Sequence, residues 1–222
     1  MIRIFDLIFS LLALIIFLPL FIIVAIILRL TGEGEVIFLQ NRVGIRNSNF
    51  KVIKFVTMKK DSENIGTKTL TVKNDPRILP LGRFLRKSKI NELPQLINVL
   101  LGQMSLIGPR PQTESSFNKF PEESKEIISK LKPGLSGIGS IIFRDEEAIL
   151  DEGKENLDFF SDIITPYKGD LEQWYFKNQN LKTYFLLIIL TIWVIIFPNS
   201  SLLRSVFKDL PDIPEGLKTK IM

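Results

Sequence analysis

RFLRKSKINELPQLINVLLGQMSLIGPRP, residues Arg83 to Pro111, places five cations (Arg83, Arg86, Lys87, Lys89 and Arg110) around a single carboxylate, Glu92. No other ionisable side chain lies in the stretch. Leu93, Leu96, Ile97, Leu100 and Leu101 follow Glu92 at helical spacing, which predicts an amphipathic helix with one buried face and Glu92 near its N-terminus. Arginine forks match phosphate oxygens bidentately, and the N–H groups at a helix start add partial positive charge. The stretch therefore reads as an element that holds phosphate. A basic amphipathic helix lying on anionic lipid fits the same charge pattern.

Upstream, Val36 to Gln40 reads as a short strand, Arg42 to Asn49 as a turn around Gly44, and Phe50 to Met58 as a second strand, together a β-hairpin. Lys54 lies on the second strand, where pattern alone leaves a phosphate-reaching lysine and a surface lysine on a sheet edge equally open. Lys59 to Pro80 is polar and turn-rich and predicts a mobile loop or lid, with Arg77 as a solvated charge. Downstream, Pro121 to Lys130 predicts a short amphipathic helix. Lys132 to Ser140 is the most glycine-rich stretch; glycine permits close approach to a ligand, and successive N–H groups in such loops bind anions. No GxxxxGK[ST] phosphate loop is present. Ile141-Ile142-Phe143 reads as a buried strand delivering Arg144. The triplet Asp145-Glu146-Glu147 after it reads as a solvated helix start ahead of a divalent-ion site. Residues 151–174 are charged and aromatic with a helical pattern and no assignable motif.

The 222 residues are 45% hydrophobic, and the apolar excess sits at the two ends. Leu7 to Leu28 is almost wholly apolar and spans about 33 Å as a helix, enough for a hydrocarbon core of about 30 Å. Pro19 interrupts it and favours a kink, while Arg3 and Arg29 flank both sides, leaving no positive-inside bias. Hydropathy alone favours an ordinary Pro-kinked spanning helix; a re-entrant helix-break-helix is the competing reading. Tyr184 to Phe197, about 21 Å as a helix, is short for a crossing. It reads as an interfacial helix, with Trp174, Tyr175, Tyr184 and Trp193 suited to the headgroup layer, or equally as a core helix or a homo-oligomer contact. The tail from Leu202 is polar and reads as partly disordered. The net charge of +5 fits a membrane surface and phosphorylated ligands, and no nucleic-acid motif is present. With no cysteine and no histidine, disulfides, Cys/His zinc sites and histidine triads are excluded. The absence of an Asp-x-Asp motif argues against a metal-dependent Rossmann-like nucleotide-sugar transferase.

ELPQLINVLLGQMSLIGPRP closely resembles the bacterial sugar transferases, monotopic phosphoglycosyl transferases that move a sugar phosphate onto a polyprenyl phosphate. Glu92, Leu93, Pro94, Gln95 and Leu96 match the family's motif, as do Met104, Ser105, Gly108, Pro109, Arg110 and Pro111. The resemblance extends from about Arg3 to Lys132-Pro133-Gly134. It implies roles in phosphate binding for Lys54, Arg86, Arg110 and Arg144, and it implies the re-entrant form of the N-terminal helix. One departure is central. The family's proposed nucleophile, an aspartate, falls on Asn91, and an amide is a poor nucleophile toward phosphorus. Gln103 stands where Asp is usual, and Val56 replaces a frequent Arg.

These readings combine into an α+β, membrane-anchored domain with a Pro-broken re-entrant N-terminal helix, amphipathic interfacial helices and a short β-hairpin. The expected division is a membrane helix over 1–32, a catalytic domain over 33–180, and a membrane-associated helix and tail over 181–222. The resemblance implies a UDP-sugar donor, undecaprenyl phosphate as acceptor, UMP as product and Mg2+ as the ion. It further implies a catalytic domain on the cytoplasmic face of the bacterial inner membrane. Asn91 and Glu92 are the expected catalytic pair and the expected metal ligands. Glu92 as replacement nucleophile and direct attack by the lipid phosphate in a ternary complex both remain open, the second slightly favoured. A catalytically silent membrane scaffold is the alternative that Asn91 motivates.

Overall fold

The computed structural model describes residues 1–31, 33–64, 71, 75–144, 146–149, 158–198 and 200–221. Helix α1 (Ile2–Thr31) is followed by an antiparallel hairpin, β1 (Ile37–Val43) and β2 (Asn49–Phe55), with Phe38 opposite Lys54 and Arg42 opposite Phe50. The hairpin is the expected one, but β1 runs on through Arg42. The turn is made at Arg46 and Asn47, whose φ angles are 55° and 57°. Then come α2 (Pro80–Lys87), α3 (Gln95–Leu100), β3 (Ser105–Ile107), α4 (Glu114–Phe117), α5 (Glu122–Lys130) and β4 (Gly134–Ser136), the last parallel to β3. α6 (Ile138–Ile142), α7 (Glu146–Ile149), a π-turn over Phe160–Ile164, α8 (Thr165–Asn178), α9 (Leu181–Ile196), α10 (Leu202–Val206) and α11 (Glu215–Ile221) complete the order.

The expected strand Ile141–Phe143 is the end of helix α6 instead. Strand pairing is used up one step earlier, at Gly134–Ser136, and a short apolar run carries no period that separates strand from buried helix. The tail is helical in part and buries Leu203, Phe207, Leu210, Ile213 and Leu217. Trp174 and Tyr175 belong to the same core, with Trp174 against Phe207 at 5.0 Å, and are not interfacial. Arg77 is no solvated charge: it is buried, pairs with Asp75 at 2.6 Å and donates to the Ser62 carbonyl. Of the expected lid, residues 65–70 and 72–74 lie outside the described residues.

α1 continues through Pro19, and by length and composition it is long and apolar enough to cross a membrane. Both of its ends pack on the domain. At the start, Arg3 donates to the Val99 and Leu100 carbonyls that end α3, and Phe5 meets Phe185 of α9 at 5.0 Å. At the far end, Val24 and Leu28 bury against Phe55 and Leu85. Between them most apolar side chains are exposed, among them Leu11, Ile15, Ile16 and Ile23. Ile97 and Leu101 of the α3 segment and Ile189, Ile192 and Ile196 of α9 are exposed too. So much exposed apolar surface on elements that touch one another is of the kind that marks a contact with a membrane or another protein.

Asp6 locks α1 in place. Its Oδ1 accepts from the Tyr184 hydroxyl (2.9 Å), the Ser105 hydroxyl (3.0 Å) and the Leu106 N–H (2.9 Å), joining α1, β3 and α9. Replacing it by alanine strands three buried donors. Asp6→Ala is therefore expected to lower stability by about 3 kcal/mol, measured as the unfolding midpoint in detergent, with Asp6→Asn losing less. An unchanged midpoint would show that these bonds do not hold the helix.

Candidate active site

Glu92 closes a 3₁₀ turn, Ile90–Glu92, that Lys89 enters in the left-handed region at φ 60°. Pro94 caps the following helix, where its missing N–H costs nothing. The helix is shorter than expected: it buries Gln95, Leu96, Asn98 and Val99. Asn98 splices it to the hairpin, accepting from the Ile53 N–H (3.0 Å) and donating to the Lys51 carbonyl (2.8 Å). Gln103 accepts the second Asn98 N–H at 2.7 Å, which gives this unusual residue a structural task. Val56 has a packing role, since it is buried at the end of the hairpin.

Arg110 is delivered by a close backbone crossing. Gly108 donates to the Ser136 carbonyl (2.9 Å) and Gly134 to the Pro109 carbonyl (2.8 Å). A Cβ on Gly108 would stand 2.3 Å from the Lys132 oxygen, and one on Gly134 would stand 2.1 Å from the Gly108 nitrogen. Gly134 and Gly137 thus serve backbone-to-backbone approach, while Ser136, Gly139 and Ser140 of the expected anion loop line the same cavity as Glu92. Arg42 braces the crossing from β1 by donating to the Pro111 carbonyl at 3.0 Å.

The result is a cation cluster on one carboxylate. Arg110 forks onto Glu92 at 2.6 and 3.1 Å, and the Lys54 ammonium lies 3.3 Å from Oε1. Burial alone would raise the Glu92 pKa, but Arg110 and Lys54 outweigh it and hold the carboxyl well below its usual range. Lys54 moves the other way. Burial, reinforced by Arg42 and Arg110 and opposed by Glu92, pushes it down to about 7.

Asn91, 5% exposed, presents an Oδ1 without a hydrogen-bond partner. Asn91, Glu92, Lys54, Arg86, Arg110 and Arg144 all line one cavity of about 680 Å³. The six expected residues are therefore brought to one chamber, although Arg86 and Arg144 stand apart from the Glu92 cluster. Arg86 reaches the Thr57 hydroxyl at 3.4 Å, and Arg144 donates to the Val194 carbonyl. Sequence reasoning missed Arg42, Lys168 and Glu172, and it named Ser140 only as the end of the glycine-rich stretch; all four share the cavity. The alternation of β1 was a usable signal for Arg42; the others carry no motif. Asp145 lies outside the described residues, and Glu146 is ion-paired with Lys168 at 2.6 Å.

Among the described residues no group of three or more His, Cys, Asp or Glu side chains gathers as a metal cage. The open Asn91 oxygen beside the Glu92 carboxylate does fit a hard cation that completes its shell with water and ligand phosphates, as Mg2+ does.

The Lys54 shift makes a pH prediction. The ammonium is fully charged below about 7 and is lost above it, so anion binding should weaken as pH rises through that value. Sulfate, whose charge is constant there, is expected to lose affinity by up to about tenfold per pH unit above the transition. Lys54→Arg should remove that limb. A flat titration for the parent would show that Lys54 does not govern anion binding.

The bacterial sugar transferase model matches residues 1–198. The undecaprenyl-phosphate glucose phosphotransferase of Komagataeibacter xylinus is 40% identical over 144 residues, 63% of this chain and 27% of the relative. The UDP-glucose:undecaprenyl-phosphate glucose-1-phosphate transferase of Escherichia coli is 36% identical over 162 residues, 72% of this chain and 35% of the relative. A putative undecaprenyl-phosphate N-acetylgalactosaminyl 1-phosphate transferase of Bacillus subtilis is 40% identical over 132 residues, 60% of this chain and 73% of the relative. The chain thus spans about a third of the length of the first two. A family match over 198 of 222 residues covers α1, the hairpin, the Glu92 cluster and α9 alike, and on that ground the chain belongs to the bacterial sugar transferase family.

Proposed function

We propose that this chain is a membrane-associated phosphoglycosyl transferase. It would move a sugar 1-phosphate from a UDP-sugar to undecaprenyl phosphate and release UMP, the first membrane step of surface polysaccharide or glycoconjugate synthesis. The observation that carries the reading is the clustering of Lys54, Arg110 and Glu92 in a cavity shared with Arg86, Arg144 and the open oxygen of Asn91. Relatives named as undecaprenyl-phosphate sugar phosphotransferases support it, and their names give a silent scaffold no support. Their sugars differ, so the sugar here stays open.

In this reading the acceptor phosphate oxygen attacks the donor phosphorus that bears the sugar, the bond to the bridging oxygen breaks, and UMP leaves with that oxygen. Phosphoryl transfer needs positioning and charge neutralisation more than covalent help. Lys54, Arg110 and Arg86 hold the diphosphate, and Arg144 assists from its place in the same cavity. Glu92 is anionic, weakly basic and tied by both oxygens to Arg110, so it serves better to orient the cations than to attack phosphorus. This favours direct displacement. Asn91 Oδ1 and Glu92 would hold Mg2+, which would supply charge neutralisation at the phosphate oxygens.

A lipid phosphate diffuses only in the membrane plane, so the cavity must lie at its surface, on the cytoplasmic face of the bacterial inner membrane. A re-entrant α1 is supported by the contacts at both of its ends, since Arg3 and Asp6 at one and Leu28 at the other all pack on the same domain. A straight crossing would carry one end away. The test is UMP release by the protein in nanodiscs with a panel of UDP-sugars, with and without undecaprenyl phosphate and Mg2+. Lipid-dependent release with one donor is expected. No release from any donor by folded protein, beside an active relative, would overturn the reading.

A further inference from the structure

The cavity is lined by further buried polar side chains that the phosphate chemistry leaves unused. Glu172 of α8 is 5% exposed, lines the cavity, and its Oε2 has no hydrogen-bond partner. Ser140 of α6 lines the same wall, and its hydroxyl is likewise buried without a partner. Gly139 lies between them in the wall. A Cβ there would stand 2.8 Å from Glu172 Oε1, so only glycine lets the carboxyl sit this close to α6. Lys168, one turn before Glu172, is committed elsewhere. It pairs with Glu146 at 2.6 Å and lies over the rings of Phe143 and Phe160 at 4.9 and 5.4 Å.

Two buried polar atoms aimed into one cavity, both lacking partners, are what a ligand with hydroxyl groups would satisfy. The burial of Glu172 pushes its pKa up to about 8, with Lys168 pulling back less strongly. At neutral pH it is mostly a protonated carboxyl, which both donates and accepts. That combination suits a neutral polyol. Lys168, the cation that acts on Glu172, is already paired with Glu146, and a stacking base would compete with its ammonium for the two rings.

We infer that Glu172 and Ser140 form a sugar subsite, taking hydroxyl groups of the donor's sugar ring while the Glu92 cluster takes its diphosphate. The assignment rests on the proposed donor class but adds to it: these two residues contact the sugar, and the uridine and phosphate groups do not depend on them.

The test is calorimetric titration of the full-length protein in detergent, without lipid acceptor, with UDP and with UDP-glucose, UDP-galactose, UDP-N-acetylglucosamine and UDP-N-acetylgalactosamine. For the sugar nucleotide that the parent binds, Glu172→Ala is expected to weaken affinity by about tenfold or more, and Ser140→Ala by several-fold, with UDP unchanged within about twofold. Glu172→Gln keeps a donor and an acceptor and should stay within about threefold of the parent. Sulfate binding to the Lys54 cluster serves as the folding control for each variant. Equal weakening of UDP and UDP-sugar, or no change in either, would overturn the sugar subsite and leave the transferase reading standing. A parent that binds neither UDP nor any of the sugars would overturn the donor reading itself, and the subsite with it.

Discussion

Glu92→Gln is expected to lower the turnover number for UMP release by about 10²–10³-fold while leaving UDP binding, at a pH that keeps Lys54 charged, as tight as in the parent or tighter. The two halves of this expectation have one cause. Glu92 is the counter-charge of Arg110 and Lys54, at 2.6 and 3.3 Å. Its removal frees the Arg110 fork and also takes away the charge that holds the Lys54 pKa up, so at a pH low enough to keep Lys54 protonated the resting site attracts the donor's diphosphate at least as well. What is lost is direction. The Arg110 fork is aimed by a bidentate contact, and an amide matches only one arm of it. Steady-state kinetics with separate UDP titrations would check the split. A variant within tenfold of the parent in turnover would reduce Glu92 to a structural ion pair. A loss confined to UDP affinity would make it a binding residue only.

The parts of this site that were legible in the sequence are those carried by local pattern. The hairpin followed from alternation and a Gly-containing turn, and the place of Glu92 just ahead of a helix from the apolar spacing behind it. Their convergence was not legible by pattern: Lys54 and Arg110 lie 38 and 18 residues from Glu92, and only the family resemblance placed them together. Asp6 shows the limit most clearly. It sits in an apolar helix with no local partner, and its hydrogen bond to Tyr184 closes a separation of 178 residues. Glu172 failed to stand out for the opposite reason. Its neighbourhood is rich in charges, and nothing in the spacing says that this one is buried without a partner while Lys168 is paired. Arg77 and the tail misled because polarity was read as exposure, whereas Asp75 neutralises Arg77 and five apolar residues anchor the tail. The α6 helix was mistaken for a strand because three apolar residues in a row have no period.

The resemblance sets Asn91 where the family's aspartate is expected, and Asn91→Asp tests what the amide does. The new side chain has the same size and keeps an oxygen where Oδ1 now stands, buried and without a partner. Desolvation and the neighbouring Glu92 would raise its pKa, while Lys54, Arg110 and Lys89 around that carboxylate would lower it. An ionised carboxylate there would have a free lone pair facing the cavity, unlike Glu92. The variant is therefore expected to release about one equivalent of UMP in the absence of lipid and to gain the mass of a sugar phosphate on the substituted side chain, as nucleophilic catalysis requires. The parent should release UMP only when undecaprenyl phosphate is present and should carry no adduct. Quenched-flow measurement with intact-protein mass spectrometry reads both. A lipid-independent burst in the parent, with the adduct mapped to Glu92, would replace direct displacement by a covalent route through Glu92. A parent and variant that both need lipid would mean that the amide was not what withheld the covalent route, and that access of the donor phosphorus to this turn decides the mechanism.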